Sequence, residues 1–422
     1  MSAPKYPAYK DSQVKWLGAI PDHWGVLQSR RMFAVRSEPA LASDQMLTAS
    51  QKYGVLFQKD FVEMEGRRVV EVIMGMESLK HVEPDDFIIS MRSFQGGLEW
   101  SRLRGSTSFH YVMVKPLKCV HPPFFAHLFK SAQYIQALRS TTDLIRDGQE
   151  LRYSNFVLVD LPLVPDGEQA AIAIFLDRET SKIDALVEEQ KRLIELLKEK
   201  RQAVISQAVT KGLDPNVPMK DSGVEWLGQV PGAWKVVPLK WLCALLKDGT
   251  HLPPPRVADG VPLLSVRNVQ GGVFSKLDDD SMISEENYQE LCRSFVPQPN
   301  DVLLAIVGAT LGKTAMVPDD IGRFHIQRSL AIFRPEGELT AAWLHLVFRS
   351  SGFQALLWES VGFSAQPGIY LGTLAAVRVP VPPIDAQAEI VRVVTLGLDR
   401  IDQLITEAET GVLLLLERRS AL

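Results

Sequence analysis

Arginine, lysine, glutamine, asparagine, serine and threonine on glycine-containing loops can hydrogen-bond base edges and phosphates. Arg suits guanine, and Gln or Asn suits adenine. The 422-residue chain carries such loops in two sets. The first set is SQKYG (50–54) with Lys52 and Tyr53, MRSFQGG (91–97) with Arg92, Ser93 and Gln95, RLRGSTS (102–108) with Arg104 and Ser106, and IRDGQELR (145–152) with Arg146. The second is LKDGTH (246–251) with Lys247, Thr250 and His251, SVRNVQGG (265–272) with Arg267 and Asn268, GATLGKT (308–314) with Thr310 and Lys313, HIQRS (325–329) with Gln327 and Arg328, and GFSAQPG (362–368) with Ser364 and Gln366. Taken singly, each reads as an ordinary surface turn. Their recurrence at matching places in two halves is what favours nucleic-acid contact.

Other chemistry finds little support. GATLGKT has three residues between its first Gly and the Gly-Lys pair, where a phosphate loop needs four. His121 and His127 lack metal-type partners. No HExxH, GxSxG or paired CxxC occurs, no glycine-rich cofactor fingerprint follows a strand, and the Asp/Asn-Pro-Pro-aromatic tetrad of amino-methyltransferases is missing. Catalytic, metal and cofactor residues are therefore expected to be none.

The loops sit in two bodies of one repeat. KDSQVKWLGAIPDHW at 10–24 returns as KDSGVEWLGQVPGAW at 220–234, identical at nine of fifteen positions. A shift of 218 (345 − 127) then aligns His127-Leu128 with His345-Leu346 and continues without a gap to the last residue. It matches Gln169 with Gln387, Ile183-Asp184 with Ile401-Asp402, and Arg201 with Arg419. Each copy has a Trp-rich lead-in phrase, a variable body, a Pro-rich exit and a long tail. The lead-in tryptophans are expected to be buried anchors, in a joint where a helix end meets a body.

The bodies show short strand-like runs, among them RRVVEVIM, DFIISMRS, HYVMVKP and FVLVDLPL in the first, and VPLLSVRN, DVLLAIVG and HIQRSLAIFRP in the second. One helix is predicted in each, at about 123–139 and about 340–357. The tails read as coiled-coil helices. Ile172, Leu176, Ile183, Leu186, Gln190, Leu193, Leu197 and Val204 fall on three- and four-residue steps, and Ile390, Val394, Ile401, Leu404 and Leu415 repeat them. A helix from Glu168 to about Thr210 would be roughly 60 Å long. Gly212 and Pro215 stop it. A narrow stripe on so long a helix must be covered, and the other tail is the simplest cover.

The fold class that follows is α+β: two pseudo-twofold-related mixed α/β domains, 1–158 and 216–378, joined by two long antiparallel coiled-coil helices, 159–215 and 379–422. Composition sets the remaining bounds. The formal net charge is −4, but residues 1–158 hold 20 Lys and Arg against 16 Asp and Glu, a net of +4. Three scattered cysteines, no signal-peptide core and no membrane-length apolar run point to a cytoplasmic protein.

At this point the chain resembles the DNA-specificity subunits of type I restriction-modification systems. The likeness is carried by the paired KDS-x-V-x-W-LG phrases, the exits LPLVPDGEQAAI and VPPIDAQAEI, the stretch IDALVEEQKRLIELLKEKRQAVISQAVTKGLD, and LKDGTHLPPP, PNDVLLAIVGATLGK and GFSAQPGIY. In the second exit Ala386 stands where the first has Glu168. The resemblance implies two target-recognition domains reading the halves of a bipartite, asymmetric double-stranded DNA site. It also implies helical spacers that fix the gap and dock two methyltransferase subunits, with restriction subunits joining that core. The chain itself would be non-catalytic and carry no cofactor, leaving S-adenosylmethionine and ATP to the partners. A DNA adenine methyltransferase with built-in recognition domains is the alternative.

Overall fold

The computed structural model describes residues 6–66, 78–90, 93–141, 151–361 and 368–422, with the side chains of 93 and 94 outside that description. The chain divides into two compact units, Met1–Glu188 with Leu413–Leu422, and Glu189–Val412. Each contains one body and a stretch of both long helices.

In each unit the lead-in phrase folds as a β-hairpin. Tyr9–Asp11 pairs with Ala19–Pro21, and Met219–Asp221 with Gln229–Pro231 in the same register. Gly18 and Gly228 both have φ +58°, a left-handed turn that glycine adopts without strain. After the second tryptophan the chain pairs with its own exit: Gly25–Gln28 with Asp160–Leu163, and Lys235–Pro238 with Arg378–Val381, all antiparallel. A two-stranded ribbon thus closes each body.

Inside the bodies the sequences diverge but the sheets do not. The first body has Phe33–Arg36, Val112–Pro116, Phe87–Ile89 and Glu99–Trp100 in that spatial order. The second has Cys243–Asp248, Leu330–Pro335, Val302–Ala305 and Thr314–Met316 in the equivalent order, and extends it with Val273–Phe274 and Val269–Gln270. The third strand starts identically in both. Asp85 and Asn300 take positive φ (75° and 67°) after a proline. The next residue, Asp86 or Asp301, accepts a hydrogen bond from the backbone N–H of Glu83 or Gln298. Each buried carboxylate is neutralised by an arginine: Arg36 Nε lies 2.6 Å from Asp86, and Arg334 Nε 2.7 Å from Asp301.

Several expected elements differ. Each predicted body helix is two: Pro122–Leu128 with Ala132–Arg139, and Ala341–Arg349 with Ser351–Glu359. In the first body Phe129 ends the first piece and Ser131 caps the second, whereas in the second body Ser350 does both; the two serine hydroxyls accept from Tyr134 N and Phe353 N. FVLVDLPL is strand only over Asp160–Leu163, because Tyr153–Phe156 forms a helical turn. RRVVEVIM lies outside the described residues.

The long helices run Asp166–Lys211 and Ile384–Ser420. A buried glutamine anchors each first turn. Gln169 accepts from His121 N and donates to Cys119 O and Val164 O. Gln387 accepts from Thr340 N and Oγ1 and donates to Glu338 O and Pro382 O. The seam is displaced by one residue in places. Val187 and Ile194 are buried, whereas the predicted Leu186 and Leu193 face outward, 51% and 43% exposed. Leu404 likewise yields to Ile405. The helices pair antiparallel. In the second unit Ile205, Ala208 and Val209 pack in one core with Ile390, Val394 and Leu398, while Arg201 bridges Asp402 at 2.8 Å. In the first unit Arg419 bridges Asp184 at 2.7 Å. These are the same two repeat positions with partners exchanged.

Candidate nucleic-acid interface

In the second unit four of the five predicted loops converge on one corner, residues 325–329. The strand Cys243–Asp248 ends at Gly249, where a Cβ would stand 2.3 Å from Ile326 O, so the chain crosses the corner only as glycine. Thr250 N donates to Ile326 O, and Arg328 N donates back to Thr250 O (3.0 and 3.1 Å). Gln327 N donates to Leu264 O, fixing the loop with Arg267 and Asn268, and Ile306 N donates to Ser329 O, fixing the approach to Thr310 and Lys313. GATLGK is the turn of an antiparallel hairpin between Val302–Ala305 and Thr314–Met316, not a strand-to-helix phosphate loop.

The corner's side chains divide sharply. Arg267 is tied down: Nη1 reaches Asp279 Oδ2 at 2.8 Å, and Nη2 reaches Asp279 O, Asp279 Oδ1 and Asp280 Oδ1. Those hydrogen bonds raise its pKa further and hold Asp279 below the usual carboxylate range. Asn268 is fully buried and braces the loop, donating to Asp280 and Ser275 O. Gln327 donates to Leu263 O, Thr250 to Leu252 O and Lys247 to Ser294, while His251 meets Asp248 at 2.6 Å. By contrast Arg328 and Lys313 are exposed, and among the described residues no ion pair or side-chain hydrogen bond holds either. Ser364 and Gln366 lie outside the described residues.

The first unit gathers fewer. Lys52 and Tyr53 sit in the turn between Leu47–Ser50 and Gly54–Phe57, with Lys52 over the Tyr53 ring at 4.5 Å and both on Glu65. Exposed Gln95 is beside this turn: a Cβ on the next residue, Gly96, would stand 2.8 Å from the Gln51 side chain. Arg104 is held by Glu83 (Nε to Oε1 3.0 Å), and Ser106 is 2% exposed in a strand. Glu83 is pulled down to about 2 by Arg104 first and then by His81. His81 is buried between two carboxylates, Nδ1 2.7 Å from Asp44 and Nε2 2.9 Å from Glu83. Burial opposes its charge, but the two carboxylates outweigh it and raise its pKa. Arg92 and Arg146 lie outside the described residues, as does the side chain of Ser93.

Sequence reading missed the carboxylates that occupy Arg267 and Arg104. The run Asp278-Asp279-Asp280, opposite in sign and twelve residues from Arg267 (279 − 267), was the available signal. The lead-in tryptophans were expected to be buried anchors, and only Trp234 is buried, at 5% exposed; Trp16, Trp24 and Trp226 are half-buried, with Trp16 Nε1 donating to Asp160 O and Trp24 Nε1 to Glu168. No helix among the described residues is long and apolar enough to cross a membrane.

No protein-family model matches the chain. The chain is similar to the type I restriction enzyme EcoBI specificity subunit of Escherichia coli, 29% identical over 297 residues that cover 68% of this chain and 59% of that protein. It is also similar to the EcoKI specificity subunit of E. coli K12, 24% identical over 354 residues, 78% of this chain and 69% of that one. The alignment with the EcoBI subunit thus spans about three fifths of that relative's length. Among solved structures, a chain from a type I R-M system superposes with a TM-score of 0.71 at 15% identity, covering 95% of this chain and 97% of that one. The HsdS subunit from Thermoanaerobacter tengcongensis gives 0.57 at 14% identity, covering 95% and 96%. The fold is that of these specificity subunits, and the resemblance carried by the lead-in and exit phrases holds.

Proposed function

We propose that the chain is the DNA-specificity subunit of a type I restriction-modification complex. It reads a bipartite, asymmetric duplex site, one half with each body, and leaves catalysis, S-adenosylmethionine and ATP to methyltransferase and restriction subunits in the cytoplasm. The supporting observation is one sheet order built twice and carrying different polar loops. A protein that reads one symmetric site needs two like readers, whereas unlike loops on like frames suit unlike half-sites. In the second body the direct contacts fall to Arg328 and Lys313. Arg267 and Asn268 brace the loop that supports them.

The helices supply the docking surface. Leu186 and Leu404 are equivalent in the repeat (404 − 186 = 218) and lie 51% and 49% exposed. Leu196 and Leu414 are equivalent too, at 53% and 59%. Apolar residues left outside the seam at matching positions fit two copies of one partner, here the methyltransferase subunit.

Inserting four residues after Leu193 tests the spacer role. Methylation mapping by long-read sequencing should show both half-sites unchanged with an altered gap. An unchanged gap would refute the spacing role, and unmodified DNA in cells with the intact complex would refute the specificity reading.

A further inference from the structure

Leu252 and Tyr370 are the most exposed of the described large hydrophobic side chains, at 88% and 84%. Single apolar residues at a surface are ordinary, so what matters is how and where these two are held. Leu252 tips the loop that leaves Cys243–Asp248. Its carbonyl accepts from Thr250 Oγ1 at 3.0 Å, and the preceding His251 is pinned to Asp248 at 2.6 Å. Pro253, Pro254 and Pro255 follow, each fixing its own φ and driving the residue before it into an extended conformation. Tyr370 follows a backbone tied to the hairpin with Lys313: Gly368 bridges Val307, and Ile369 N donates to Ile306 O at 3.0 Å. Leu371, next to Tyr370, lines one groove with Leu252 and Phe295. Arg328 N donates to Thr250 O at 3.1 Å, two residues before Leu252.

A leucine on a preordered backbone, in a loop bonded to the one that carries the unpaired Arg328, suits entry into a stack rather than filling a core. Little backbone freedom remains to be lost when it inserts. We propose that Leu252 is a wedge that enters a base-pair step of the half-site read by the second body, partly unstacking and bending the duplex, while Arg328 and Lys313 hold the flanking phosphates. This rests on the DNA-reading role above. The step it enters should be pyrimidine–purine, the class most easily unstacked.

The test uses the complex assembled with its methyltransferase partner and a duplex bearing the site found by methylation mapping. 2-Aminopurine is placed in turn at each step of the half-site, with anisotropy read in the same titration. Apart from the target adenine, which the methyltransferase flips whatever stands at 252, binding of the unaltered protein should brighten one step several-fold. L252A should abolish the brightening while affinity falls by about ten-fold or less, and L252F should retain it. Specific binding with no such bright step, or brightening by L252A equal to the unaltered protein, overturns the wedge. Absence of sequence-specific binding by the unaltered complex overturns the DNA-reading role itself, and the wedge with it.

Discussion

Replacing Gln387 by leucine removes the anchor of the second long helix without changing side-chain volume much. Gln387 is completely buried and makes four hydrogen bonds, at 2.7 to 2.9 Å, with Thr340, Glu338 and Pro382. A satisfied bond contributes about 1 kcal/mol net, and a stranded buried partner costs about 1–3 kcal/mol. Only the Pro382 bond is wholly buried, so water can serve some of the others after substitution. The loss should be about 3–4 kcal/mol, a large part of a typical domain stability of about 5–15 kcal/mol. A unit of this size loses about 2–4 °C of Tm per kcal/mol, so its transition should fall by about 10 °C. Calorimetry and urea unfolding followed by tryptophan fluorescence read this directly. Gln169→Leu, with three bonds, should destabilise the first unit by about 2–3 kcal/mol. A loss below about 1 kcal/mol at Gln387 would refute the claim that side-chain hydrogen bonds, rather than helix pairing alone, fix where the helix starts.

Three further outcomes are expected. The raised pKa of His81 means its stabilisation is complete below about pH 6.5 and is lost as pH rises through the higher folded value. Urea midpoints of the first unit should therefore fall between pH 6 and pH 9, and H81Q should flatten that slope. R201E should cost about 0.5–1 kcal/mol or less, since the bridge is exposed, and adding D402R should restore most of it in a double-mutant cycle. R328A should weaken DNA binding by the assembled complex and reduce its salt dependence, whereas R192A on the helix should change neither, as filter binding at several salt concentrations would show.

The repeat, the two long helices, the lead-in anchors and most strands were legible in the sequence because each depends on local pattern. The seam was less so. In LIELL several neighbouring apolar residues satisfy three- and four-residue spacing, and only the packed partner selects Ile194 over Leu193. The body helices were read as continuous because Ser131 and Ser350 sit inside apolar periodicity that says nothing about a cap. At the interface, residue type flagged Arg267, Asn268 and Ser106 as polar loop residues. Whether such a side chain faces solvent depends on distant carboxylates and strand pairing, which loop composition does not encode. The shared sheet order was hidden because strands require only apolar alternation, so the common frame survives in the Pro84–Asp86 and Pro299–Asp301 turns.

The antiparallel ribbon that closes each body brings the chain's way in and way out onto neighbouring strands, Gly25 opposite Leu163 and Lys235 opposite Val381. Everything between them is a cassette hung from a single clasp. A foreign cassette with compatible ends would leave the helices undisturbed, so under the proposed DNA-reading role new target sequences would arise by wholesale exchange rather than by gradual rebuilding of a working reader.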